Sequence, residues 1–268
     1  MSTARLPTYF ISHGGGPWPW MKEQLGGAYD QLEAALARMP VDIGRTPRAV
    51  LMLSAHWEAP QFTVQTHAQP PMLYDYGGFP DFTYRIQYPA PGAPAVAARV
   101  REALAAAGIA SQEDAARGFD HGLFAPMAVI YPHADVPVLQ LSLKRGLAPD
   151  EHLALGRALA PLRDEDILIV GSGLSYHNLR AFGPAARAPS AAFDGWLEST
   201  LAIADAATRS ATLAAWEQAP AARLAHPREE HLLPLMVALG AAEGEAAMRV
   251  YHEREFFGGI TVSSYRFG

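Results

Sequence analysis

The chain has 268 residues, 50% of them hydrophobic, and a formal net charge of −6 at pH 7. We favour one large α/β domain over two small ones, because single α/β domains commonly reach about 250 residues. The negative charge and the lack of a Lys/Arg cluster argue against a nucleic-acid partner. Because cysteine is absent, disulfides and thiolate ligands are excluded, and a bound metal must use nitrogen and oxygen ligands.

The sequence carries no signal for a membrane or for export. No apolar run approaches the roughly 20 residues that a membrane-spanning helix needs. The first ten residues, MSTARLPTYF, lack the apolar region of a signal peptide. We therefore expect a soluble, cytoplasmic protein without a membrane partner.

Apolar runs typical of buried strands alternate with alanine-rich helical stretches, which predicts an α/β sheet covered by helices. The predicted strands are residues 9–12, 49–54, 61–66, 83–87 at an edge, 136–142 and 167–170, and the segments RVYHEREF and ITVSSYRFG. The predicted helices are residues 20–39, ended by Pro40, then 94–107, a helix or turn from Pro126, 149–162, 190–206, 210–218 and 231–242. The Pro-, Gly- and Tyr-rich stretch 70–92, which includes the segment 72–84, is predicted to be a functional loop.

Four histidines lie in short polar segments cut into apolar sequence. They are His13 in FISHGGG, His56 in LMLSAHWE, His177 in LIVGSGLSYHNL and His231 in PREEHLLPLM. Three of them follow predicted strands, and α/β proteins bind ligands beyond the carboxyl ends of their strands. Neutral imidazole suits zinc, iron and copper. The pattern therefore predicts a metal site at the strand ends.

Other residues compete for roles in this site. His226 lies five residues before His231 but is followed by Pro227 in a loop, so His231, at the start of an apolar helix, is the better candidate. Glu229 or Glu230 could complete a facial triad with two histidines, although acidic residues before a helix more often interact with its dipole. We assign ordinary structural roles to the remaining histidines, His67, His133, His152 and His252.

A further histidine, His121, follows Asp120 in the segment RGFDHG. The neighbouring carboxylate could accept a proton from one ring nitrogen and fix the tautomer, which would suit an acid or base. The alternative is that FDHG is only a turn.

Together, SHGGGP, SAHWE, GFDHG, GSGLSYHNL and HPREEHLLPL resemble the DODA-type, 4,5-DOPA dioxygenase-like branch of the class III extradiol ring-cleaving dioxygenases. The resemblance spans almost the whole chain and implies one catalytic α/β domain, residues 1–268, with a central mixed sheet flanked by helices. It implies a non-haem metal, Fe(II) for catalysis with Zn(II) in some members. By motif, His13, His56 and His231 resemble the ligands, His177 a fourth ligand or an acid/base group, and His121 an acid/base group. The chain departs from the two-histidine, one-glutamate class III pattern at His231, and an all-histidine site is also what zinc prefers.

The resemblance implies that a small aromatic diol and O2 are the substrates. A DOPA-like catechol would be opened beside its hydroxyl groups to a muconic semialdehyde, with His177 as base and His121 as acid. Trp18 and Tyr265 are candidates for substrate binding, and the 72–84 loop could cover the ring. Further aromatic candidates are Trp57, Tyr74, Tyr76 and Phe79, and candidates for binding a substrate carboxylate are Arg180, Arg228 and Arg266.

Two other functions fit the same residues. A zinc hydrolase would use the metal to activate water and would not need O2. A Memo-like binding protein would keep the pocket without redox metal, although retention of all four histidines and DHG argues against that loss. The sequence leaves the oligomeric state open.

Overall fold

The computed structural model describes residues 5–268, in which eight strands form one mixed sheet. The strands are β1 (Thr8–Ser12), β2 (Ala49–Ala59), β3 (Phe62–Gln65), β4 (Ser111–Asp114), β5 (Val138–Lys144), β6 (Ile167–Gly173), β7 (Ala247–Phe256) and β8 (Ile260–Phe267). Their order across the sheet is β4-β3-β5-β2-β6-β1-β8-β7. The predicted α/β class with a central mixed sheet is confirmed.

Helices cover both faces of the sheet. They are α1 (Lys22–Leu25), α2 (Asp30–Ile43), α3 (Pro94–Ala106), α4 (His121–Ile130), α5 (Pro149–Leu159), α6 (Arg187–Leu201), α7 (Ala206–Ala214), α8 (Ala222–Ala225) and α9 (Leu233–Gly240). None of the helices within residues 5–268 is both long and apolar enough to cross a membrane.

The centre of the sheet consists of four parallel strands, β5, β2, β6 and β1, and it is here that the strand ends come together. Ser12 at the end of β1 pairs with Gly173 at the end of β6, and Ser54 of β2 pairs with Ser172. Antiparallel pairings join β3, β8 and β7 to this centre. Side chains that follow β1, β6 and the middle of β2 therefore meet at one edge of the sheet.

Alternate side chains of the central strands enter two separate cores. Val50 and Met52 of β2 contact the core beneath α2 and α4, whereas Leu51 and Leu53 contact the core beneath α3 and α5. All four are inaccessible to solvent. Burial on both faces explains why the central strands read as continuous apolar runs.

Two predictions of secondary structure were wrong, and one strand was missed. The predicted 20–39 helix is interrupted at Gly26 and Gly27, which both have positive φ, and its second part continues through Pro40 until Gly44 caps it. The predicted 83–87 edge strand is a 3-10 helix (Asp81–Arg85), because the backbone N–H and hydroxyl of Thr83 both donate to the carbonyl of Pro80. Strand β4 was missed because its sequence, SQED, has no apolar alternation.

Candidate metal centre and active site

Five histidines from separate parts of the chain border one cavity: His13, His56, His121, His177 and His231. The His56 ring centroid lies 4.0 Å from that of His121, 4.9 Å from that of His13 and 4.9 Å from that of His231. His177 stacks on His231, with ring centroids 3.3 Å apart. Each histidine is held by a different element, so the tertiary fold creates the cluster.

His13 lies directly after β1, where the neighbouring strand β6 fixes its tautomer. The Ser172 hydroxyl donates to the carbonyl of Gly122 at 2.5 Å, so the Ser172 oxygen accepts the N–H from Nδ1 of His13 at 3.0 Å. This leaves the lone pair of His13 Nε2 free. Burial and neighbouring histidines hold the pKa of His13 well below its ordinary value, so the ring is neutral.

His56 faces His13 from a distortion in β2. The pairing of β2 with β5 shifts register between Leu53 and Glu58, and His56 lies in this irregular stretch. Its Nε2 is 3.1 Å from His13 Nε2. Burial, together with the nearby His121, lowers the pKa of His56 to about 4.

The spacing of these two nitrogens suits a metal ion. Two imidazole ligands of a tetrahedral metal with bonds of about 2.0–2.1 Å lie roughly 3.3 Å apart, close to the observed separation. A neutral histidine pair that offers two lone pairs to one point is stabilised by a cation between them. The donor set therefore fits a metal that takes nitrogen ligands.

His231 precedes α9 and is oriented by the adjacent carboxylate of Glu230. Its Nδ1 donates to Glu230 Oε1 at 2.9 Å, and Nδ1 of His177 lies 3.3 Å from the same oxygen. Burial raises the pKa of Glu230, but its contacts with the two histidines outweigh that effect and lower it. The pKa of His231 is lowered well below its ordinary value, mainly by burial and also by the neighbouring histidines, so this ring is neutral. Glu230 therefore holds the Nδ1 side of both rings and leaves their Nε2 atoms free.

Close backbone contact brings the His231 segment onto β6. The N–H of Leu174 donates to the carbonyl of His231 at 3.1 Å. A Cβ on Gly173 would lie 2.1 Å from that carbonyl oxygen, which no side chain tolerates. Glycine at position 173 is therefore what allows this approach.

Asp75, in the 72–84 loop, was missed by sequence reasoning. Its Oδ1 accepts from Nδ1 of His121 at 2.8 Å and from the backbone N–H of His121 at 2.9 Å, and its Oδ2 lies 3.5 Å from Nδ1 of His56. Burial raises the pKa of Asp75, but these contacts with His121 outweigh it and lower the pKa. The only signal was the position of Asp75 in the loop already predicted to be functional.

The role predicted for Asp120 was therefore wrong. Its side chain is inaccessible to solvent and accepts from Ser54, Arg117 and Gln140 at 2.7–2.8 Å. The carboxylate points into the sheet, and the chain turns into α4 at the next residue. Orientation of His121 instead comes from a residue 46 positions away.

The cavity beside the histidines has a volume of about 790 Å³. Its wall contains three carboxylates, five histidines and several apolar side chains. The lining residues are His13, Gly14, Gly15, Gly16, Leu25, Tyr29, Ala55, His56, Glu58, Asp75, Phe79, His121, Leu174, His177, Leu179, Phe182, Glu230, His231, Phe256 and Phe257. A large apolar pocket with a few converging polar groups is the usual form of a small-molecule site.

Trp18 and Tyr265, predicted to bind substrate, are not among the residues that line this cavity. Trp18 is inaccessible to solvent, stacks on Tyr29 with ring centroids 4.8 Å apart, and donates its indole N–H to the carbonyl of His13 at 2.8 Å. Tyr265 is 2% exposed on β8, opposite Phe10. Trp18 therefore holds the backbone of His13 from within the core, whereas Tyr265 makes no contact within the described part of the chain that links it to the cavity.

Two more sequence alternatives are resolved by position. His226 is buried behind the site, where its Nε2 donates to the carbonyl of Ser175 at 3.0 Å and its ring contacts Phe193. Glu229 pairs with Arg223 on the surface. Of the candidate aromatic residues, Phe79 lines the cavity, while Tyr76 contacts His121 with ring centroids 5.9 Å apart.

Within residues 5–268, two groups of side chains have ligand atoms close enough to hold a metal ion. One is His13, His56 and His121, and the other is His177, Glu230 and His231; within each group the ligand atoms lie within 4.8 Å of one another. The groups adjoin through His13, whose ring centroid is 5.2 Å from that of His231. The arrangement can hold a metal with nitrogen ligands and leave further histidines free for proton transfer.

Comparisons with known proteins agree with this chemistry. The sequence profile of the catalytic LigB subunit of aromatic ring-opening dioxygenase matches residues 7–268. A 4,5-DOPA dioxygenase extradiol of Beta vulgaris is 38% identical, across 97% of this chain and 96% of its own. Dioxygenase tasH of Hapsidospora irregularis is 37% identical, across 98% of this chain and 85% of its own. A 4,5-DOPA dioxygenase extradiol of Escherichia coli is 33% identical, across 100% of this chain and 97% of its own.

A solved structure has the same fold. The crystal structure of an uncharacterized Escherichia coli protein superposes with a TM-score of 0.79 at 28% identity, and the match covers 98% of this chain and all of that one. The full-length matches, the mixed sheet and the histidine-lined cavity agree. This chain belongs to the LigB family of aromatic ring-opening dioxygenases and is an oxidoreductase of that type.

Proposed function

We propose that this chain, as one catalytic domain over residues 1–268, opens a catechol ring beside its two hydroxyl groups. Both atoms of O2 enter the product, a muconic semialdehyde, and the carbon–carbon bond next to one hydroxylated carbon is broken. The ring supplies the electrons, so no external reductant is needed. The main support is the convergence of five histidines on one cavity, in a chain whose relatives are named as extradiol dioxygenases.

We assign the metal to His13, His56 and His231, with His177 beside them. Hydrogen bonds to Ser172 and Glu230 occupy Nδ1 of His13 and His231, so Nε2 of each is the available ligand atom. When bound, Fe(II) would bring catechol and O2 together and pass electrons between them. Zn(II) fits the same nitrogen donors but does not change its oxidation state.

Proton transfer is assigned to the two remaining histidines. In this proposal His177, whose side chain is 20% exposed and whose Nδ1 lies near Glu230, accepts a hydroxyl proton from the catechol at Nε2. His121 has its Nδ1 engaged by Asp75, so its Nε2 is available to return a proton as the ring opens. We assign contact with the substrate to Phe79 and the apolar wall of the cavity, which Trp18 and Tyr265 do not line.

Two histidine variants distinguish a proposed metal ligand, His231, from a proposed general acid, His121. We expect H231A to lose bound iron, whereas H121A keeps one iron per chain and loses about 100-fold or more in kcat, the usual effect of removing a general acid or base. Iron content by metal analysis and turnover by an O2 electrode are measured on the same samples. Loss of iron from H121A, with iron retained in H231A, would reassign the site to His13, His56 and His121.

Metal reconstitution tests the function itself. Chelated protein is loaded without air with Fe(II) or Zn(II), then mixed with O2 and catechol or DOPA. The proposal predicts O2 uptake and a yellow product only with Fe(II). Zinc-dependent hydrolysis without O2 uptake would instead support a hydrolase, and binding without turnover of any catechol would support a binding protein; the family match favours neither.

A further inference from the structure

Four rings form a continuous apolar surface on the cavity wall, here called the aromatic shelf: Tyr29, Phe182, Phe256 and Phe257. The Phe257 ring centroid lies 5.3 Å from that of Tyr29, 5.7 Å from that of Phe182 and 4.8 Å from that of Phe256. Leu174 continues this surface toward the histidines, since its backbone N–H bonds to the carbonyl of His231. The shelf and the metal-binding histidines therefore border the same space.

Phe257, on the shelf, has an unusual backbone conformation. It lies in the turn between β7 and β8 with φ 45°, a left-handed value that bulky side chains rarely adopt. The residue nevertheless stays 37% exposed, and Leu179, which also lines the cavity, is 68% exposed at its rim. Strained backbone tends to cluster at ligand sites, and large apolar side chains kept in contact with water mark surfaces that bind something apolar.

Apart from the histidines, the ionisable side chains that line the cavity in the described part of the chain are carboxylates and the phenol of Tyr29. Glu58, Asp75 and Glu230 line it, whereas no Lys or Arg is found among its lining residues within the described part of the chain. The nearby Arg228 is already paired, since its two terminal nitrogens each lie 2.5 Å from an oxygen of Glu58. Among the described lining residues, a carboxylate on the substituent of the substrate would therefore find no Lys or Arg side chain to pair with.

The remaining arginines considered from the sequence do not change this balance. Arg180 is exposed next to Leu179 but is not part of the wall. Arg266 lies opposite Tyr9 on β8, outside the lining of the cavity. The volume of about 790 Å³ also lies well within the range of about 300–1,000 Å³ that accommodates drug-sized ligands, so a bare catechol would leave it partly filled.

We propose that the catechol cleaved by this enzyme carries an uncharged, apolar substituent, such as a phenyl ring or short alkyl chain, seated on the aromatic shelf. This inference rests on the proposed function, since it places the diol at the histidines. It names a substrate class that differs from DOPA, whose side chain carries both an ammonium and a carboxylate group.

Matched catechols test this preference in the iron-loaded protein. Catechol, 4-propylcatechol, 4-phenylcatechol and 3-(3,4-dihydroxyphenyl)propanoate are compared by O2 uptake. We expect kcat/KM for the propyl and phenyl compounds to exceed that for the propanoate by about tenfold or more, mainly through KM. Equal or better use of the propanoate would overturn the inference.

Calorimetric titration of the same compounds under argon measures binding without turnover. Tighter binding of the apolar compounds supports the inference, and equal binding contradicts it. Absence of turnover for every catechol, with the binding preference intact, would contradict the proposed function and leave the preference established. Different results would therefore contradict the proposed ring cleavage and the proposed preference for an apolar substituent.

Variants of residues that line the cavity test whether the aromatic shelf causes the preference for an apolar substituent. F257A should lower the phenyl-to-propanoate ratio of kcat/KM by about tenfold, and L179R, which adds a cation at the rim, should raise kcat/KM for the propanoate. M248A is the matched control, because Met248 is 57% exposed on β7 but lies outside the cavity lining. A ratio in F257A equal to that in M248A would show that the shelf does not select the substituent.

Discussion

Asp75 determines how His121 faces the cavity, because it accepts both the ring and the backbone N–H of that residue. We expect D75N to lower kcat by about 10–100-fold, the usual cost of losing a group that orients a metal-site histidine. The measurement is turnover per bound iron. D81N, a change of the same type on the same loop but outside the cavity, is the control; activity of D75N within twofold of that control would contradict the assignment.

His152, which lies away from the site, tests how a buried histidine changes the dependence of folding stability on pH. It is inaccessible to solvent, donates from Nδ1 to the carbonyl of Ala148 and accepts the backbone N–H of Lys144 at Nε2. Burial lowers the pKa of His152 from 6.5 to about 4. Because the unfolded state then binds more protons between these values, folding stability falls as the pH drops below 6.5.

The H152Q variant lacks this titration. Between pH 7 and pH 5, the metal-free wild type should lose on the order of 2 kcal/mol more unfolding free energy than H152Q does. Urea unfolding of both proteins at the two pH values measures the difference. The other buried histidines are present in both, so an identical loss would show that His152 does not contribute.

At the level of elements, the site depends on the close approach of the His231 segment to β6. In G173A the new methyl would collide with the His231 carbonyl, so we expect a loss of about 1–3 kcal/mol in stability and weaker metal binding. G195A is the matched control, since Gly195 lies in α6 with nothing near its missing Cβ and should gain up to about 1 kcal/mol. Equal metal affinity in both variants would contradict this role for Gly173.

The sequence predicted the central elements well because burial on both faces leaves a clear signal. The runs at 9–12, 49–54 and 167–170 correspond to the cores of β1, β2 and β6, and the histidines after them meet as expected. Elements outside the central strands were harder to predict. Local hydrogen bonds determine the 3-10 helix at Asp81–Arg85, and pairing with β3 determines β4, so neither has an apolar pattern in the sequence.

The candidate site was predictable only in part. The five histidines stood out by their neighbours in sequence, but Asp75 could not be found, since its partnership with His121 joins a loop to a helix start. Trp18 illustrates the opposite case: it was a candidate for substrate binding, yet its indole N–H donates to the backbone carbonyl of His13 and it does not line the cavity. Side-chain direction is set by packing, which sequence spacing does not reveal.

At the scale of the whole molecule, a bound metal would join β1, β2 and the segment before α9. Because it binds only the folded protein, metal at 100 times its Kd should add ~2.7 kcal/mol of stability. That corresponds to a rise of roughly 5–10 °C in Tm for a chain of this size. Calorimetry of chelated and reloaded protein measures the shift, and the same rise in H231A would show that the metal binds elsewhere.

The most direct test of ring cleavage is the fate of oxygen. Iron-loaded protein is mixed with catechol and 18O2, and the product is trapped at once with borohydride so that its aldehyde oxygen cannot exchange with water. Mass spectrometry should find both labelled atoms in one ring-opened product that carries a carboxylate and the alcohol derived from the aldehyde. A product with no label or one label, or a dicarboxylate cleaved between the hydroxyl groups, would contradict extradiol cleavage by this protein.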